Sequence, residues 1–259
     1  MLYPRIIPTL LVHNRGLVKT VKFKDSKYVG DPINAVKIFN EKEVDELIVL
    51  DIDATVEDRE PDYKMIENLA VECRMPLCYG GGIKTAKQAQ KIFSLGVEKI
   101  ALSSVVVDNP MIVKEIATQV GMQSVVVVLD VKKKLFGGYE VVTHNGKKKR
   151  GIDPIKFVQE LEELGIGEIV INSIDNDGVM KGYDFSIIDK IKEIATVPMT
   201  VLGGAGSLGD IKQLIDKFGI IGCSAGSLFV FKGKYKAVLI NYPNQNEKKD
   251  LLPKINNLQ

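Results

Sequence analysis

Two glycine-rich segments, Gly80–Lys84 (GGGIK) and Gly203–Ser207 (GGAGS), stand about half a chain apart in matching surroundings. Each follows a run opened by proline, PLCY from Pro76 and PMTVL from Pro198. Upstream, DELIVLDID (Asp45–Asp53) matches GEIVINSID (Gly167–Asp175). Downstream, GVEKIALSSVVV (Gly96–Val107) matches GIIGCSAGSLFV (Gly219–Val230). The order is the same in both halves, and the spacing agrees to within one residue. A chance pair of glycine loops would not bring matching apolar runs on both sides, so the chain reads as a duplicated unit.

Short β-branched runs alternate with longer amphipathic stretches. Strands are predicted at Arg5–Val12, Glu46–Ile52, Pro76–Gly80, Glu98–Ser103, Ser124–Asp130, Glu168–Ser173, Pro198–Gly203 and Ile220–Ala225. Helical patterning falls between them, as at Asp31–Val44, Thr85–Leu95, Pro110–Val120, Pro154–Leu164 and Leu208–Lys217. Asp31-Pro32 and Asp153-Pro154 are N-cap and first-turn signals. Continuously apolar strands separated by helices mean a parallel sheet covered on its outer face. Eight such units in 259 residues favour closure. The expected fold is one α/β domain over residues 1–259, a (β/α)8 TIM barrel of two fused half-barrels. The halves span about 1–123 and 124–240, and the polar tail at about 243–259 is expected to be disordered.

Two segments depart from the repeat. His13–Gly30, polar and lysine-rich, reads as a loop after the first strand. Lys132–Arg150 follows the fifth strand, and its GGYEVVTHNGK core reads as a hairpin with Asn145-Gly146 at the turn. Both fall at C-terminal ends of strands, where such a barrel carries its active site, and in equivalent places of the two halves. A lid or clamp is one reading of them; plain solvated loops are the other.

The net charge of +2 implies no strong electrostatic partner. Without a basic stripe interleaved with aromatics, nucleic-acid binding is not expected. Val125–Leu129, the longest buried-looking run, is far short of a membrane span. Cys73, Cys78 and Cys223 lie in apolar contexts and read as small core residues, not as a disulfide framework or metal site. A cytoplasmic protein with no metal and no cofactor is expected.

Phosphate recognition needs backbone N–H groups free of obstructing side chains. Gly80–Gly82 and Gly203–Gly206 fit, and each is followed one unit later by small residues, Ser103-Ser104 and Gly226-Ser227. Two such spots related by the repeat could hold both ends of a bisphosphate; tight turns that merely need glycine are the bland alternative. Asp51, Asp53, Asp130, Asp175 and Asp177 lie at or just past strand ends. Asp53 and Asp175 read as loop anchors or binding groups. Asp130 ends the apolar run SVVVVLD, where desolvation raises a carboxyl toward the general-acid range. The repeat places Leu11 opposite Asp130, so only half of an acid dyad is present. Arg5, Glu46, Lys99 and Glu168 sit at strand starts and form a self-compensating ring, read from the pattern alone as a salt-bridged plug.

The segments RIIPTL, GDP (Gly30–Pro32), DELIVLDIDAT, GGGIK, VVVVLD, GEIV, NSIDNDG, GYD (Gly182–Asp184) and GGAG resemble the cyclase subunit of imidazole glycerol phosphate synthase, along essentially the whole chain. The resemblance implies a barrel that binds a phosphorylated ligand and takes ammonia through its interior from a docked glutaminase. It implies one phosphate site near Gly82, Ser103 and Ser104, and another near Asp177, Gly178, Gly204, Gly226 and Ser227. It makes the Arg5, Glu46, Lys99 and Glu168 ring an ammonia gate and puts Lys19 on an active-site loop. That family uses two catalytic aspartates: Asp130 matches one, and Leu11 stands where the other belongs. Ser103 also stands where an asparagine is common.

Longer stretches, among them IPTLLVHNRGLVKTVKF, KYVGDPINAVKIFNEKEVDELIVLDIDAT, SIDNDGVMKGYD and AGSLFVF, look like the paralogous branch of acetamidino-sugar modification proteins. That likeness implies ammonia delivery to an ATP-using sugar amidotransferase, which turns an acetamido group of a bacterial surface glycan into an acetamidino group. A true cyclase-lyase of histidine biosynthesis and a non-catalytic activator of a glutaminase are the alternatives. Dependence on partners also follows from the residues. The chain has two histidines, His13 and His144, and no cysteine motif for nucleophilic activation, so a separate glutaminase is required. No ATP-binding P-loop is present, so ATP chemistry belongs to another protein.

Overall fold

The computed structural model describes residues 3–252. Eight parallel strands close on themselves in chain order: β1 (Arg5–His13), β2 (Leu47–Asp51), β3 (Leu77–Gly80), β4 (Lys99–Leu102), β5 (Val125–Lys133), β6 (Glu168–Ser173), β7 (Met199–Leu202) and β8 (Gly222–Ala225). Closure is made by β8 on β1, with Arg5 opposite Gly222 and Pro8 opposite Ala225. The half-barrels join where β4 meets β5, Ile100 opposite Val125. Each predicted strand is found, within two or three residues at its ends.

The apolar runs are continuous because both faces of each strand are covered. Strand residues alternate between the faces. On β5, Val125, Val127, Leu129 and Val131 pack into the main core beneath the helices. Val126 and Val128 instead join Ile7, Ile48, Cys78, Ala101, Val170 and Leu202 in a smaller cluster that fills the barrel interior. Followed along the inward face, this alternation puts Arg5, Glu46, Lys99 and Glu168 below that cluster, and Leu11, Leu50, Asp130 and Asn172 above it.

Helices α1 (Pro32–Glu41), α2 (Tyr63–Glu72), α3 (Ala86–Ser94), α4 (Ile112–Val120), α5 (Pro154–Leu164), α6 (Phe185–Lys192) and α7 (Leu208–Phe218) form the outer layer. Asp31 caps α1 by accepting from the Asn34 N–H, and Asp153 caps α5 by accepting from that of Ile155, each with proline in the first turn. Helices α3 and α7 start on matching capping boxes, Thr85 with Gln88 and Ser207 with Asp210, so the repeat extends to the caps.

Two expectations are corrected. His13–Gly30 is not a loop but a β-hairpin, Gly16–Val21 paired with Lys24–Gly30, and its first arm pairs with β1 through Leu11 opposite Val18. Burial falls only on Leu17–Thr20, while the second arm is largely exposed, so the segment reads as polar overall. The tail is not disordered from residue 243. Helix α8 (Gln245–Leu251) starts on an Asn244–Glu247 capping box, buries Leu251, and is tied to Asp45 by Lys248 at 2.7 Å. Residues 253–259 of the expected tail lie outside the described residues. The second insertion is a hairpin as expected. Its arms, Tyr139–Thr143 and Lys148–Lys149, flank a turn in which His144, Asn145 and Gly146 all take positive φ.

Candidate functional site

The C-terminal ends of the strands surround a cavity of about 490 Å³. Both insertions line it, the first through Lys19, Thr20 and Phe23 and the second through His144 and Asn145. Asn145 Nδ2 donates to the Ile52 carbonyl at 2.8 Å, so the second hairpin reaches across to the loop after β2. This placement fits a clamp over the mouth better than a pair of solvated loops.

Gly82, Ser103 and Ser104 line one part of the cavity, and Asp177, Gly226 and Ser227 line another. Ser103 and Gly226 are the N-cap residues of two short helices, Ser104–Asp108 and Ser227–Val230, in equivalent places of the two halves. Gly178 and Gly204 are not among the lining residues. Their glycine has a packing cause. A Cβ on Gly178 would lie 2.0 Å from the Thr20 carbonyl oxygen, and one on Gly204 would lie 2.1 Å from that of Gly182, with both glycines at positive φ. The first hairpin is fastened down at this place: the Lys22 N–H donates to the Asp177 carbonyl at 2.9 Å, and Thr20 Oγ1 donates to Asp177 Oδ2 at 3.0 Å.

Lys19 is brought inside by that fastening. Its ammonium is buried, donates to the Thr9 carbonyl at 2.5 Å and stands against Gly226. Burial pushes it down to about 8, and the negative charge of Asp177 opposes this. Asp177 is itself shifted up by burial, with Thr20 and Lys19 acting the other way.

Across the cavity, Asp130 accepts from Asn172 Nδ2 at 2.8 Å. Burial pushes the Asp130 carboxyl up to about 7, and the Asn172 hydrogen bond limits the rise. The repeat makes the contrast sharp. Asp130 sits opposite Asn172 on β5 and β6, and Leu11 sits opposite Leu50 on β1 and β2. One half of the mouth presents an acid and an amide; the other presents two leucines in the same places. Asn172 is the residue that the sequence reading missed. The signal was available, since the alignment of DELIVLDID with GEIVINSID sets Asn172 against Leu50. Its Oδ1 is buried with no hydrogen-bond partner among the described residues.

Asp53 and Asp175 are loop anchors. Asp53 accepts from the Asn14 N–H at 2.7 Å and contacts His13 Nδ1 at 2.6 Å, and Asp175 accepts from the Lys133 N–H at 2.9 Å. Each therefore ties down the chain where it leaves the preceding strand.

At the other end, the four charges form an alternating ring. Arg5 bonds Glu46 and donates to Glu168 at 2.7 Å, while Lys99 stands 2.9 Å from both Glu46 and Glu168. Thr200 Oγ1 donates to Glu168 at 2.5 Å. Burial disfavours each charge, but the opposite charges outweigh it, so Arg5 and Lys99 are raised and Glu168 is lowered. The glutamates are buried, and the two cations remain partly exposed.

Among the described residues, no cluster of three or more His, Cys, Asp or Glu side chains could hold a metal ion. No helix there is long and apolar enough to cross a membrane.

A family model described as "Histidine biosynthesis protein" matches residues 5–236. A Vibrio vulnificus protein, provisionally named imidazole glycerol phosphate synthase subunit hisF3, is 61% identical over 253 residues, 97% of each chain. A Pseudomonas aeruginosa protein, provisionally named imidazole glycerol phosphate synthase subunit hisF2, is 51% identical over 247 residues, 95% of this chain and 98% of that one. The imidazole glycerol phosphate synthase subunit HisF of Streptomyces griseus is 37% identical over 227 residues, 88% of this chain and 90% of its own.

Proposed function

This chain belongs to the histidine biosynthesis protein family, and from that membership we propose that it is a HisF-like barrel subunit that accepts ammonia from a glutaminase and delivers it for amidination of a bacterial surface-glycan sugar. The observation that carries this reading is the mouth itself. The glycine and serine rim for a phosphorylated ligand stands beside Asp130 and Asn172, but the repeat-equivalent pair is Leu11 and Leu50. A reaction that needs two opposed proton-transfer groups has only one here, and loss of one such group typically costs ~10²–10⁴-fold in rate. A route for ammonia needs no second acid. Four relatives at 51–61% identity are only provisionally named as this synthase subunit, two of them with the numbered suffixes hisF3 and hisF2, whereas HisF proteins named without that qualifier stand at 35–37%. That ordering supports a paralogue over the histidine-pathway subunit.

The test is reconstitution with the cognate glutaminase and an ATP-using sugar amidotransferase. Glutamine-dependent acetamidino product is expected only when the barrel is present; equal product without it sinks the reading. A cyclase-lyase is the second reading, favoured by the Asp130 carboxyl near 7. Rescue of a cyclase-deficient histidine auxotroph, abolished by Asp130→Asn, would establish it instead. Stimulation of glutamine hydrolysis by the barrel without any sugar, and no effect of the barrel on sugar product when free ammonia is supplied, would leave only an activator role.

The rim proposal makes a separate prediction at Lys19. An anionic phosphate beside Gly226 and Ser227 favours the charged ammonium, so ligand binding raises Lys19 from about 8. Calorimetric titration with a phosphorylated sugar at pH 8.5, in buffers of different ionisation enthalpy, is expected to show net proton uptake by the complex. Uptake that persists unchanged in Lys19→Met removes Lys19 from the phosphate site.

A further inference from the structure

The small net charge conceals a strong partition. Three hairpins stand at the C-terminal ends of the strands: Gly16–Gly30 after β1, Lys132–Arg150 after β5, and Phe231–Val238 after β8. Together they contain fourteen lysines and arginines against two carboxylates, Asp25 and Glu140. With the whole chain at +2, the remainder carries a net −10.

The hairpins also form a connected surface. The Lys27 ammonium lies 5.1 Å from the Phe231 ring centre and reaches the Lys236 carbonyl at 3.5 Å. The Phe23 ring packs against Gly146, which joins the first hairpin to the second. Three of the cations are paired, Lys133 with Asp184, Lys149 with Glu140 and Arg150 with Asp108. Among the described residues, Lys132, Lys134, Lys147, Lys232, Lys234 and Lys236 have no carboxylate partner. The acidic loop after β2 does not neutralise them. Its Asp51, Asp58 and Asp62 are engaged by Arg59, Lys84 and Arg15.

Apolar side chains stand uncovered at the tips of this basic surface. Leu135 and Phe136 are 91% and 97% exposed, and Tyr235 on the third hairpin is 90% exposed. Single exposed apolar residues are ordinary. Here a leucine–phenylalanine pair crowns a lysine-bearing turn of the second hairpin, and a tyrosine crowns the third between two more lysines. Such side chains gain most by entering pockets on a partner.

We propose that this rim is the docking surface for the enzyme that receives the ammonia, a protein presenting an acidic face with apolar pockets for Leu135, Phe136 and Tyr235. The inference rests on the proposed function and says where its third component binds. Ammonia that escapes into neutral water is protonated and ceases to be a nucleophile, so the receiving site must cover the mouth. The ring end of the barrel is where the glutaminase is expected, which leaves the mouth for the receiver. A net-positive rim steers an acidic partner into the correct orientation before the apolar tips engage.

The experiment uses the barrel, its glutaminase and the ATP-using sugar amidotransferase, and reads sugar amidinated per glutamate released. Two rim variants are compared with wild type, Leu135→Ser/Phe136→Ser and Lys132→Glu/Lys134→Glu/Lys234→Glu. Each is expected to lower that ratio about tenfold or more, as loss of interface anchors does. Glutamine hydrolysis is expected to be unchanged, and saturating ammonium chloride to restore product. Variants that transfer ammonia as well as wild type overturn the docking site while the function stands. No glutamine-dependent product with wild type overturns the function and the docking site with it. Sedimentation with vesicles of 30% phosphatidylglycerol in phosphatidylcholine, lost in both variants that still transfer ammonia normally, would assign the rim to a lipid surface and overturn the proposal.

Discussion

Replacement of Glu168 by leucine is expected to destabilise the barrel by about 2–4 kcal/mol, read as a lower urea midpoint at unchanged slope. Glu168 is buried and accepts from Arg5, Lys99 and Thr200 together. Its loss leaves two cations sharing Glu46, and it leaves Thr200 Oγ1 without its acceptor. The expectation lies toward the lower end for a broken buried pair because Arg5 and Lys99 keep partial contact with water. The complementary variant is Arg5→Met/Glu46→Leu/Lys99→Met/Glu168→Leu. With no charge left to strand, it is expected to be neutral or more stable by about 1–4 kcal/mol. A floor built only for stability would then gain from losing its charges. If the fourfold variant is at least as stable as wild type but no longer passes ammonia from the glutaminase, the ring is a gate. If it is less stable than Glu168→Leu alone, the ring is a structural plug.

The second large effect depends on pH. Burial holds the folded Asp130 carboxyl up at about 7, against an ordinary value near 3.8. The folded state therefore holds this proton more tightly than the unfolded chain. Below about pH 4 both states are protonated and nothing is lost. As pH rises from about 4 to about 7 the folded protein loses stability through this group, and the loss levels off above that range. Asp130→Asn removes the titration and keeps an oxygen for Asn172 Nδ2. The variant is expected to match wild type near pH 4 and to be more stable by on the order of 2–4 kcal/mol at pH 8. Urea unfolding of both proteins across that range tests it. A stability difference that does not change with pH would show that Asp130 is not held in a desolvated environment.

The barrel was legible because its strands are buried on two sides. A strand such as Val125–Leu129 must be apolar at every position to meet both the interior cluster and the helical layer, and that pattern survives in the bare sequence. Capped helices were legible where Asp-Pro announces them, as at α1 and α5. Helices α2 and α6 were not singled out, although Asp62 and Asp184 stand at their N-caps. The first hairpin was misread because its second arm faces water and composition there says nothing about pairing. Helix α8 was misread because a polar tail docks through one lysine, one leucine and a capping box, features too few to outweigh its composition.

The duplication, the eight strands, the ring residues, the single acid at Asp130 and the leucine at its repeat position were all legible in the sequence alone. These are properties of periodicity and of the repeat, and neither requires knowing how far apart side chains lie. Only the tertiary structure decided the rest. It separated Gly82, Ser103, Ser104, Asp177, Gly226 and Ser227, which line the mouth, from Gly178 and Gly204, whose glycine answers to backbone crowding. It buried Lys19, paired Asn172 with Asp130, and gathered three separate lysine-rich segments into one surface. Burial and charge clustering arise from residues far apart in the chain, so a net charge of +2 gave no hint of them.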